Sequence, residues 1–440
     1  MKPMAPTKTT RTGHLGMRTT LRVWALGLGA ALAGAAGCAS QPADGDGLPP
    51  QTMVPELRPA PFGSHKFAYP AGAISPTGSR ESLDAAVGQV YDRWKARYLV
   101  KGCGGYYVKT SGGTGAKDAI TVSEGHGYGM MISALMAGHD PEAQAIFDGL
   151  VHVFRQFPSN INGALMSWAI GPDCQPIAGP DSATDGDLDV AFALLLANRQ
   201  WGSPAGAAVN YFVEARRVIG AIGLSEVNPE TRLPLLGDWA TTAMFYYATR
   251  PSDFMPDHFR AFAAATGADK FSTSVDRIYE ITTRLQAGAG INTGLLPDFA
   301  IETHKEVAPA PPDFLEGAND GNYGFNACRV PWRFGTDFIA SGDARAKMVL
   351  GPINSWIQNK TGGDPTKVAE GYRLDGTPLG GGPNGAFVAP LAVAAMVDAK
   401  NQVWLDSLWR WMAGSGAEDY YADSIRLLSM IVVSGNWWVP

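Results

Sequence analysis

From about residue 81 to the C-terminus, apolar residues recur at helical spacing in one segment after another, separated by loops rich in Gly, Pro, Asn and Asp. Hardly any stretch shows the apolar/polar alternation of a half-buried strand. This pattern predicts an all-α fold of about a dozen helices, which fits both a closed ring of six antiparallel hairpins and an open solenoid. The predicted helices cover approximately 81–98, 126–138, 141–156, 187–200, 206–221, 238–249, 253–265, 272–287, 330–341, 343–360, 386–399, 402–413 and 418–434.

The longest irregular stretch, roughly residues 288–328, interrupts the helical series. Loops of this length in compact domains are usually functional or disordered. This loop is predicted to form one wall of a cleft, because it concentrates acidic and polar side chains. They are Asp298, Asp313, Glu316, Asp320, Tyr323 and Asn326.

Residues 1–37 have the pattern of an export signal, with five basic residues ahead of an apolar run and no acidic residue. Small residues directly before Cys38 resemble a bacterial lipobox, which predicts a lipidated Cys38 and a cell-envelope location; full secretion is the alternative. Membrane attachment is expected only through this lipid, because no other stretch reaches the roughly 20 apolar residues of a span. Residues 38–77, rich in Pro, Gly and Ala, are predicted to be a flexible tether, and the folded domain is expected over 78–440.

The chain that remains after removal of residues 1–37 is acidic. Of the 35 Lys and Arg, five lie in that leader, which leaves 30 against 41 Asp and Glu and a net charge of −11. This charge disfavours nucleic acid or an anionic polysaccharide as a partner. It is compatible with a neutral glucan and mildly favourable for cationic chitosan.

Two predicted helices begin with acidic residues. Glu124 has glycines next to it that keep bulk away from its carboxylate, and an apolar stripe follows at once. About sixty residues later Asp185 leads into a second apolar helix, and Asp187 and Asp189 are interpreted as ordinary first-turn acids of that helix. A single acid at a helix start is often only a partner of the helix dipole. Two of them at one end of a helical array indicate acid/base chemistry of the kind that glycoside hydrolysis needs.

These two segments resemble glycoside hydrolase family 8, and residues 325–333, FNACRVPWR, resemble the family segment that bears the catalytic base. The likeness extends from about Gly78 to the C-terminus. It implies an (α/α)6 barrel that cleaves a β-linked glucan, chitosan or xylan with inversion. It also implies that Glu124 is the general acid and that Asp185 positions the sugar and supports the transition state. No cofactor or metal is expected, because the seven His form no H-E-x-x-H motif and no close pair.

The chain departs from the usual family pattern at Asn326, where many members carry an aspartate base. A neutral amide cannot accept a proton from water at working pH. One branch of the family, which includes chitosanases and some glucanases, resembles this chain in carrying Asn there and a glutamate base on the preceding loop. Glu316 matches that position and is predicted to be the general base, with Asp320 and Asp313 as alternatives.

Further side chains are predicted to bind substrate. Arg329 is expected to orient the carboxylates or Asn326 through a bidentate contact, with a structural ion pair as the alternative. Trp168 resembles a family tryptophan that stacks on sugar. Tyr323, on the long loop, and Tyr372, whose surroundings resemble a family segment near the site only weakly, complete the set.

The three cysteines after Cys38 divide into two groups. Cys103 and Cys174 lie in Gly/Pro-rich loops that flank the first acidic segment, and an exported protein permits a disulfide between them. Cys328, inside the third motif, is predicted to be a buried free thiol.

The sequence therefore predicts a monomeric, exported, inverting endoglycanase that cleaves β-1,4 links in cellulose derivatives or mixed-linkage β-glucan. A chitosanase is the alternative within the family, because the branch that shares Asn326 contains chitosanases. An alternative of another class is a non-catalytic, glycan-binding surface lipoprotein that kept the fold and lost its base.

Overall fold

A computed structural model describes residues 58–110 and 116–440, which fall within one compact unit. The predicted leader, Cys38 and the first part of the predicted tether lie outside the described residues. The described part holds the helices α1 Arg80–Tyr98, α2 Ser123–Leu135, α3 Ala143–Gln156, α4 Thr184–Trp201, α5 Tyr211–Ser225, α6 Ala243–Tyr246, α7 Pro256–Thr266, α8 Asp269–Ala287, α9 Val330–Ser341, α10 Ala344–Thr361, α11 Gly385–Ala395, α12 Gln402–Gly414 and α13 Tyr420–Val433. Its strands form three antiparallel pairs, β1 Leu99–Gly102 with β2 Gly105–Val108, β3 Thr121–Val122 with β4 Ala169–Ile170, and β5 Ala300–Ile301 with β6 Ala308–Pro309.

Six helices form a closed inner ring. In ring order they are α2, α4, α7, α9, α11 and α13, each packs on the next, and α13 returns to α2. The helices α3, α5, α8, α10, α12 and α1 pack outside them, each mainly against one inner helix. The prediction of an all-α fold with an (α/α)6 ring is therefore confirmed, and the open solenoid is excluded.

The composition of each helix explains its layer. The inner helix α11 is apolar over its whole length, and all eleven of its residues are buried. A helix that is apolar on every side needs neighbours on every side. The outer helix α8 is amphipathic instead: it buries a stripe that includes Phe271, Val275 and Ile278 and leaves its polar face to solvent.

The N-terminal ends of the inner helices come together at one mouth of the barrel. Glu124 and Asp185 are the second residues of α2 and α4, and Tyr420 is the first residue of α13. Short 3₁₀ turns lead into α7 and α9, and Arg250 and Arg329 lie at these turns. Side chains far apart in sequence therefore meet at this mouth.

Glycines allow α2 and α4 to approach closely beneath the site. A Cβ on Gly127 would lie 2.7 Å from the Cβ of Asp189, and a Cβ on Gly186 would lie 2.5 Å from the Ser123 hydroxyl. Larger residues would push the two helices apart. The glycines near Glu124 thus set the spacing of the helices, a role that the sequence analysis did not assign to them.

The second half of the predicted tether is part of the folded body, which corrects the predicted boundary. The Ala60 amide donates to Gln200 Oε1 at 2.8 Å, and the Tyr69 hydroxyl donates to the Val432 carbonyl at 2.7 Å. Residues 58–77 show no helical or strand periodicity in the sequence. Their polar groups nevertheless form hydrogen bonds with the helical domain, and these bonds fix the segment in place. The folded domain therefore starts before the predicted residue 78.

The largest error in helix placement is the predicted helix over 238–249, which is reduced to the single turn Ala243–Tyr246. Its aromatic residues do not join the main core. Trp239 packs edge-on against Phe245, which packs against Phe314, in a separate small cluster. Contacts with the long loop therefore override the helical pattern of this segment.

The cysteine predictions are confirmed. Cys103, between β1 and β2, forms a disulfide with Cys174, with 5.5 Å between the Cα atoms. The bond ties the β1–β2 hairpin to the loop that follows β4. Cys328 is a buried free thiol.

Candidate active site

Arg329 joins the two predicted acidic residues of the site. Its Nη1 donates to Glu124 Oε2 at 2.6 Å and to Asp185 Oδ2 at 2.8 Å. Its Nη2 donates to the Ser252 hydroxyl at 2.8 Å and to Asn326 Oδ1 at 3.1 Å. The guanidinium is fully buried, so these contacts fix the orientation of every group around it. Arg329 thus contacts both carboxylates and Asn326, but the predicted bidentate geometry is wrong, because a single nitrogen, Nη1, contacts both carboxylates.

Glu316 lies beside Asn326 at the open side of this network. Its Oε2 accepts a hydrogen bond from Asn326 Nδ2 at 2.8 Å. Its side chain is 50% exposed, whereas that of Glu124 is 15% exposed. The long loop thus brings one solvent-accessible carboxylate next to the position where many family members are expected to carry their base.

The two alternatives to Glu316 have different surroundings. Asp320 is buried, and its carboxylate accepts hydrogen bonds from the backbone N–H groups of 315–317. Asp313 is exposed, and its residue has the positive φ of a loop turn. Of the three acids, only Glu316 joins the network around Arg329.

Arg250 is a second cation of the site, and the sequence analysis missed it. Its Nη1 donates to Asp185 Oδ2 at 3.1 Å, and its Nη2 donates to Glu316 Oε1 at 3.5 Å. The guanidinium lies over the Phe299 ring, 5.4 Å from the centroid. No motif surrounds Arg250, and the only signal was its place just before a Pro that opens the turn into a helix.

Burial and nearby charges set the pKa values of the acids at the site. Two guanidinium groups, Arg250 and Arg329, contact Glu124, Asp185 and Glu316, and the buried carboxyl group of Asp253 also acts on Arg250. Burial raises the pKa of Glu124 to about 7, and the nearby charge of Asp185 adds to this rise while Arg329 opposes it. Burial alone would also raise the pKa of Asp185, but Arg250 and Arg329 outweigh it and hold the pKa at about 2. Glu124 therefore holds a proton up to about neutral pH, and Asp185 stays ionised.

The sequence analysis also missed Tyr420 as a residue of the site. Its hydroxyl donates to Glu124 Oε1 at 3.1 Å, so both oxygens of that carboxyl group have a partner. This hydrogen bond lowers the pKa of Glu124 against the larger effect of burial. A tyrosine 296 residues away in sequence gives no local sign of such a contact.

Trp168 lies next to the segment that carries Glu124. Its carbonyl accepts the backbone N–H of Ser123 at 2.9 Å, which puts it directly before Glu124 in space. Its ring is partly exposed, and its indole N–H donates to the Ala178 carbonyl at 3.2 Å. Part of the ring is thus accessible to solvent.

The two predicted tyrosines are buried, which corrects their assignment as substrate-binding residues. Tyr323 and Tyr372 pair with each other through their backbones and are 3% and 2% exposed. The Tyr372 hydroxyl accepts the Ala369 N–H at 2.6 Å, and its ring packs edge-on against Trp356. Their side chains therefore contribute to the packing of the protein interior.

Asp187 and Asp189 are fully buried, so their interpretation as ordinary first-turn acids is wrong. Asp187 accepts the backbone N–H of Met166 at 3.0 Å, in the segment that carries Trp168. Asp189 accepts two hydrogen bonds from Arg333, at 2.9 and 2.7 Å. Asp187 therefore fixes the backbone near Trp168, and Asp189 fixes the side chain of Arg333 in α9.

In the described ranges, no group of three His, Cys, Asp or Glu is placed to hold a metal ion. Within the same residues, no helix is long and apolar enough to cross a membrane.

Known proteins resemble the chain over most of its length. Residues 70–435 match the family model described as glycosyl hydrolases family 8. A beta-glucanase of Niallia circulans is 48% identical over 380 residues, which cover 86% of this chain and 91% of that protein. An endoglucanase of Bacillus sp. strain KSM-330 is 41% identical over 397 residues, which cover 88% of this chain and 83% of that protein.

A solved structure agrees with these matches in fold. The apo structure of a beta-1,3-1,4-glucanase from Paenibacillus sp. X4 superposes with a TM-score of 0.83 at 48% identity and covers 87% of this chain and 99% of that one. The family match spans the whole helical ring and the loop that carries Glu316. The chain therefore belongs to glycosyl hydrolase family 8 and is a glycoside hydrolase.

Proposed function

We propose that the protein is an inverting endo-β-glucanase that cleaves β-1,4 links in mixed-linkage β-glucan or cellulose derivatives. The observation that carries this proposal is the pair formed by the partly buried Glu124, whose pKa burial raises to about 7, and the exposed Glu316, joined through Arg329 and Asn326. An inverting hydrolase needs one acid and one base of this kind. The names of the similar proteins, beta-glucanase, endoglucanase and beta-1,3-1,4-glucanase, support a glucan as the substrate.

In this proposal the reaction is a single displacement. Glu124 gives its proton to the glycosidic oxygen as the bond from that oxygen to the anomeric carbon breaks. Glu316 accepts a proton from the water that attacks the same carbon from the opposite face, so a β-link yields an α-product. Asp185, which stays ionised, stabilises the positive charge that develops on the sugar ring.

The amide of Asn326 has a definite task in this mechanism. It accepts from Arg329 and donates to Glu316, so it links the acid side of the site to the base side. A carboxylate at this position would repel Glu316 instead of donating to it. Asn326 therefore supports the placement of this chain in the branch of the family whose base lies on the preceding loop.

Substrate rings are expected at the barrel mouth beside Trp168. An aromatic face covers the apolar face of a pyranose, and the partly exposed indole is held in place by its N–H. Trp168 is accordingly the stacking residue of this proposal, next to the point of cleavage.

The second candidate, a chitosanase, rests only on the branch that shares Asn326 and on the acidic charge of residues 38–440. The glucanase names of the relatives favour the glucan. The non-catalytic glycan-binding alternative is disfavoured by a protonated Glu124 together with an accessible Glu316.

The test uses the mature protein with mixed-linkage β-glucan, carboxymethylcellulose and chitosan side by side. We expect reducing ends to appear fastest with a glucan, and proton NMR of the fresh product to show the α-anomer first. Faster release from chitosan would move the assignment to the second candidate. Binding without turnover on all three polymers would contradict a catalytic function, and a β-anomer as first product would contradict inversion.

We also propose that the protein is exported and held at the cell envelope through Cys38. The support is the basic, apolar and small-residue pattern of the leader, which lies outside the described residues. Labelled palmitate should be incorporated into the parent and not into Cys38→Ser. Equal labelling of the two would contradict lipidation at this residue.

A further inference from the structure

Asp320 binds the backbone of the loop that carries Glu316. Its Oδ2 accepts the N–H groups of Leu315 at 2.6 Å and Glu316 at 3.0 Å, and its Oδ1 accepts that of Gly317 at 3.0 Å. Hydrogen bonds to a charged acceptor are roughly twice as strong as neutral ones. Three successive amides are thus directed at one buried carboxylate.

The loop tip has two further backbone hydrogen bonds, which the Gly317 carbonyl accepts from the Asp313 N–H at 2.9 Å and from the Asp320 N–H at 3.2 Å, and it has few side-chain contacts. The Leu315 side chain is 38% exposed, and nothing lies within 4 Å of the position that a Cβ on Gly317 would occupy. Phe314, on one flank, packs against Phe245 and Phe299. The backbone of the tip therefore depends mainly on Asp320.

Asp320 is itself fixed to the body of the protein. Its carbonyl accepts the Phe299 N–H at 2.9 Å, and the neighbouring Asn322 carbonyl accepts the Asp298 N–H at 2.7 Å. Phe299 is the ring over which Arg250 lies. The tip of the loop is thus connected through Asp320 to the same segment that supports the second cation of the site.

We infer that Asp320 is a positioning residue, which holds the backbone of Glu316 so that its carboxylate meets the attacking water. Asp320 does not touch substrate or water in this role. The inference rests on the proposed function, because it assumes that Glu316 is the base.

The expected effect is on turnover. A displacement of about 1 Å at a reacting group can lower the rate by about 10². Asp320→Asn keeps the size of the side chain but turns an NH₂ group towards an N–H donor, so at least one of the three hydrogen bonds is lost. We expect kcat on mixed-linkage glucan to fall about 30- to 100-fold and KM to change less than about threefold.

The deciding experiment is a double-mutant cycle with Glu316→Gln. If Asp320 acts only through Glu316, Asp320→Asn should lower kcat in the parent and have less than about a twofold effect once Glu316 is Gln. The residual rate of the Gln variant is measured from oligosaccharides formed in long incubations. Asn319→Ala, an exposed change in the same loop, is the matched control and should leave both backgrounds unchanged.

Rates are expressed per folded protein, measured by near-UV circular dichroism, so a loss of folded enzyme does not imitate a loss of turnover. Asp320→Glu, which keeps the charge and moves it by one methylene, replaces the Asn variant if that variant does not fold, and the same cycle is expected. An equal loss in both backgrounds, or a parent-like rate for the Asp320 variants, would overturn the inference. Parent-like turnover of Glu316→Gln would instead overturn the proposed base, whatever the Asp320 variants do.

Discussion

Asp185→Asn should move the alkaline limb of the pH profile. Glu124 donates its proton only while it is protonated, and its pKa is raised to about 7 by burial and by the charge of Asp185. The parent kcat/KM should therefore fall about tenfold per pH unit above about pH 7. Asn keeps the size of Asp185 and removes its charge, so Glu124 should lose its proton at a lower pH.

The geometry sets the size of this shift. Glu124 and Asp185 contact the same Arg329 nitrogen at 2.6 and 2.8 Å, so these two carboxyl oxygens lie within about 5 Å of each other. At that distance and an effective dielectric constant of about 20, two unit charges repel by about 3 kcal/mol. This energy corresponds to about 2 pKa units and is an upper limit, so we expect the limb to move down by about 1 to 2 pH units.

The assay measures kcat/KM on mixed-linkage glucan between about pH 4 and pH 9. This range includes the ordinary pKa of a carboxyl group and the raised pKa of Glu124. The rate of Asp185→Asn should be lower at every pH, because Asp185 also supports the transition state, and only the midpoint of the limb is the readout. Asp173→Asn, an exposed aspartate in the loop after β4, is the control and should keep the parent midpoint. A midpoint that stays in place or moves up would refute the electrostatic coupling between the two acids.

Three further predictions test other parts of the account. Tyr420→Phe removes a hydrogen bond that lowers the pKa of Glu124, so the alkaline limb should move up in pH, opposite to the effect of Asp185→Asn; a downward shift would contradict it. Glu124→Gln should lower turnover of glucan by about 10² to 10⁴ but spare a β-cellotriosyl fluoride, whose leaving group needs no proton; equal losses on both would exclude Glu124 as the acid. Burial, helped by the charge of Asp238, raises the pKa of Glu226 to about 8 in the folded state, so the folded protein retains a proton that an unfolded glutamate releases above about 4.5, and stability should fall as pH rises between these values. Glu226→Gln should accordingly show a smaller fall in Tm from about pH 5 to pH 8 than the parent, and an identical fall would contradict the assignment.

The ring could be predicted because helical periodicity is local. The stripe after Glu124 and the apolar run of α11 identify buried helices without any knowledge of their neighbours. The segment over 238–249 has a similar pattern but packs against Phe314 of a distant loop, so its local pattern misleads. A closed ring and a solenoid differ only in the contact between α13 and α2, which no local pattern records.

The acids of the site were predictable and their partners were not. Glu124 and Asp185 stand at helix starts that carry a recognisable motif, and Glu316 was found from the departure at Asn326. Arg250 reaches Asp185 across 65 positions, and its surroundings contain no motif. Such contacts depend on the way in which the loops close over the barrel mouth.

Buried and exposed side chains of one type look alike in a sequence. Tyr372 was predicted to bind sugar and is buried, while Tyr420 was not considered and contacts the general acid. Asp187 and Asp189 follow Asp185 at helical spacing, but the helix turns them into the protein instead of towards solvent. Only the packing of the inner helices distinguishes these residues.

The most direct test of the central claim is the rate of reducing-end release from mixed-linkage β-glucan by the parent and by Glu316→Gln. Gln keeps the shape of the side chain and its contact with Asn326 but cannot take a proton from water, so we predict a loss of about 10² or more in kcat. Glu306→Gln, a highly exposed glutamate of the same long loop, should keep the parent rate. A parent-like rate for Glu316→Gln would contradict the account, because the exposed carboxylate beside Asn326 would then have no part in the reaction.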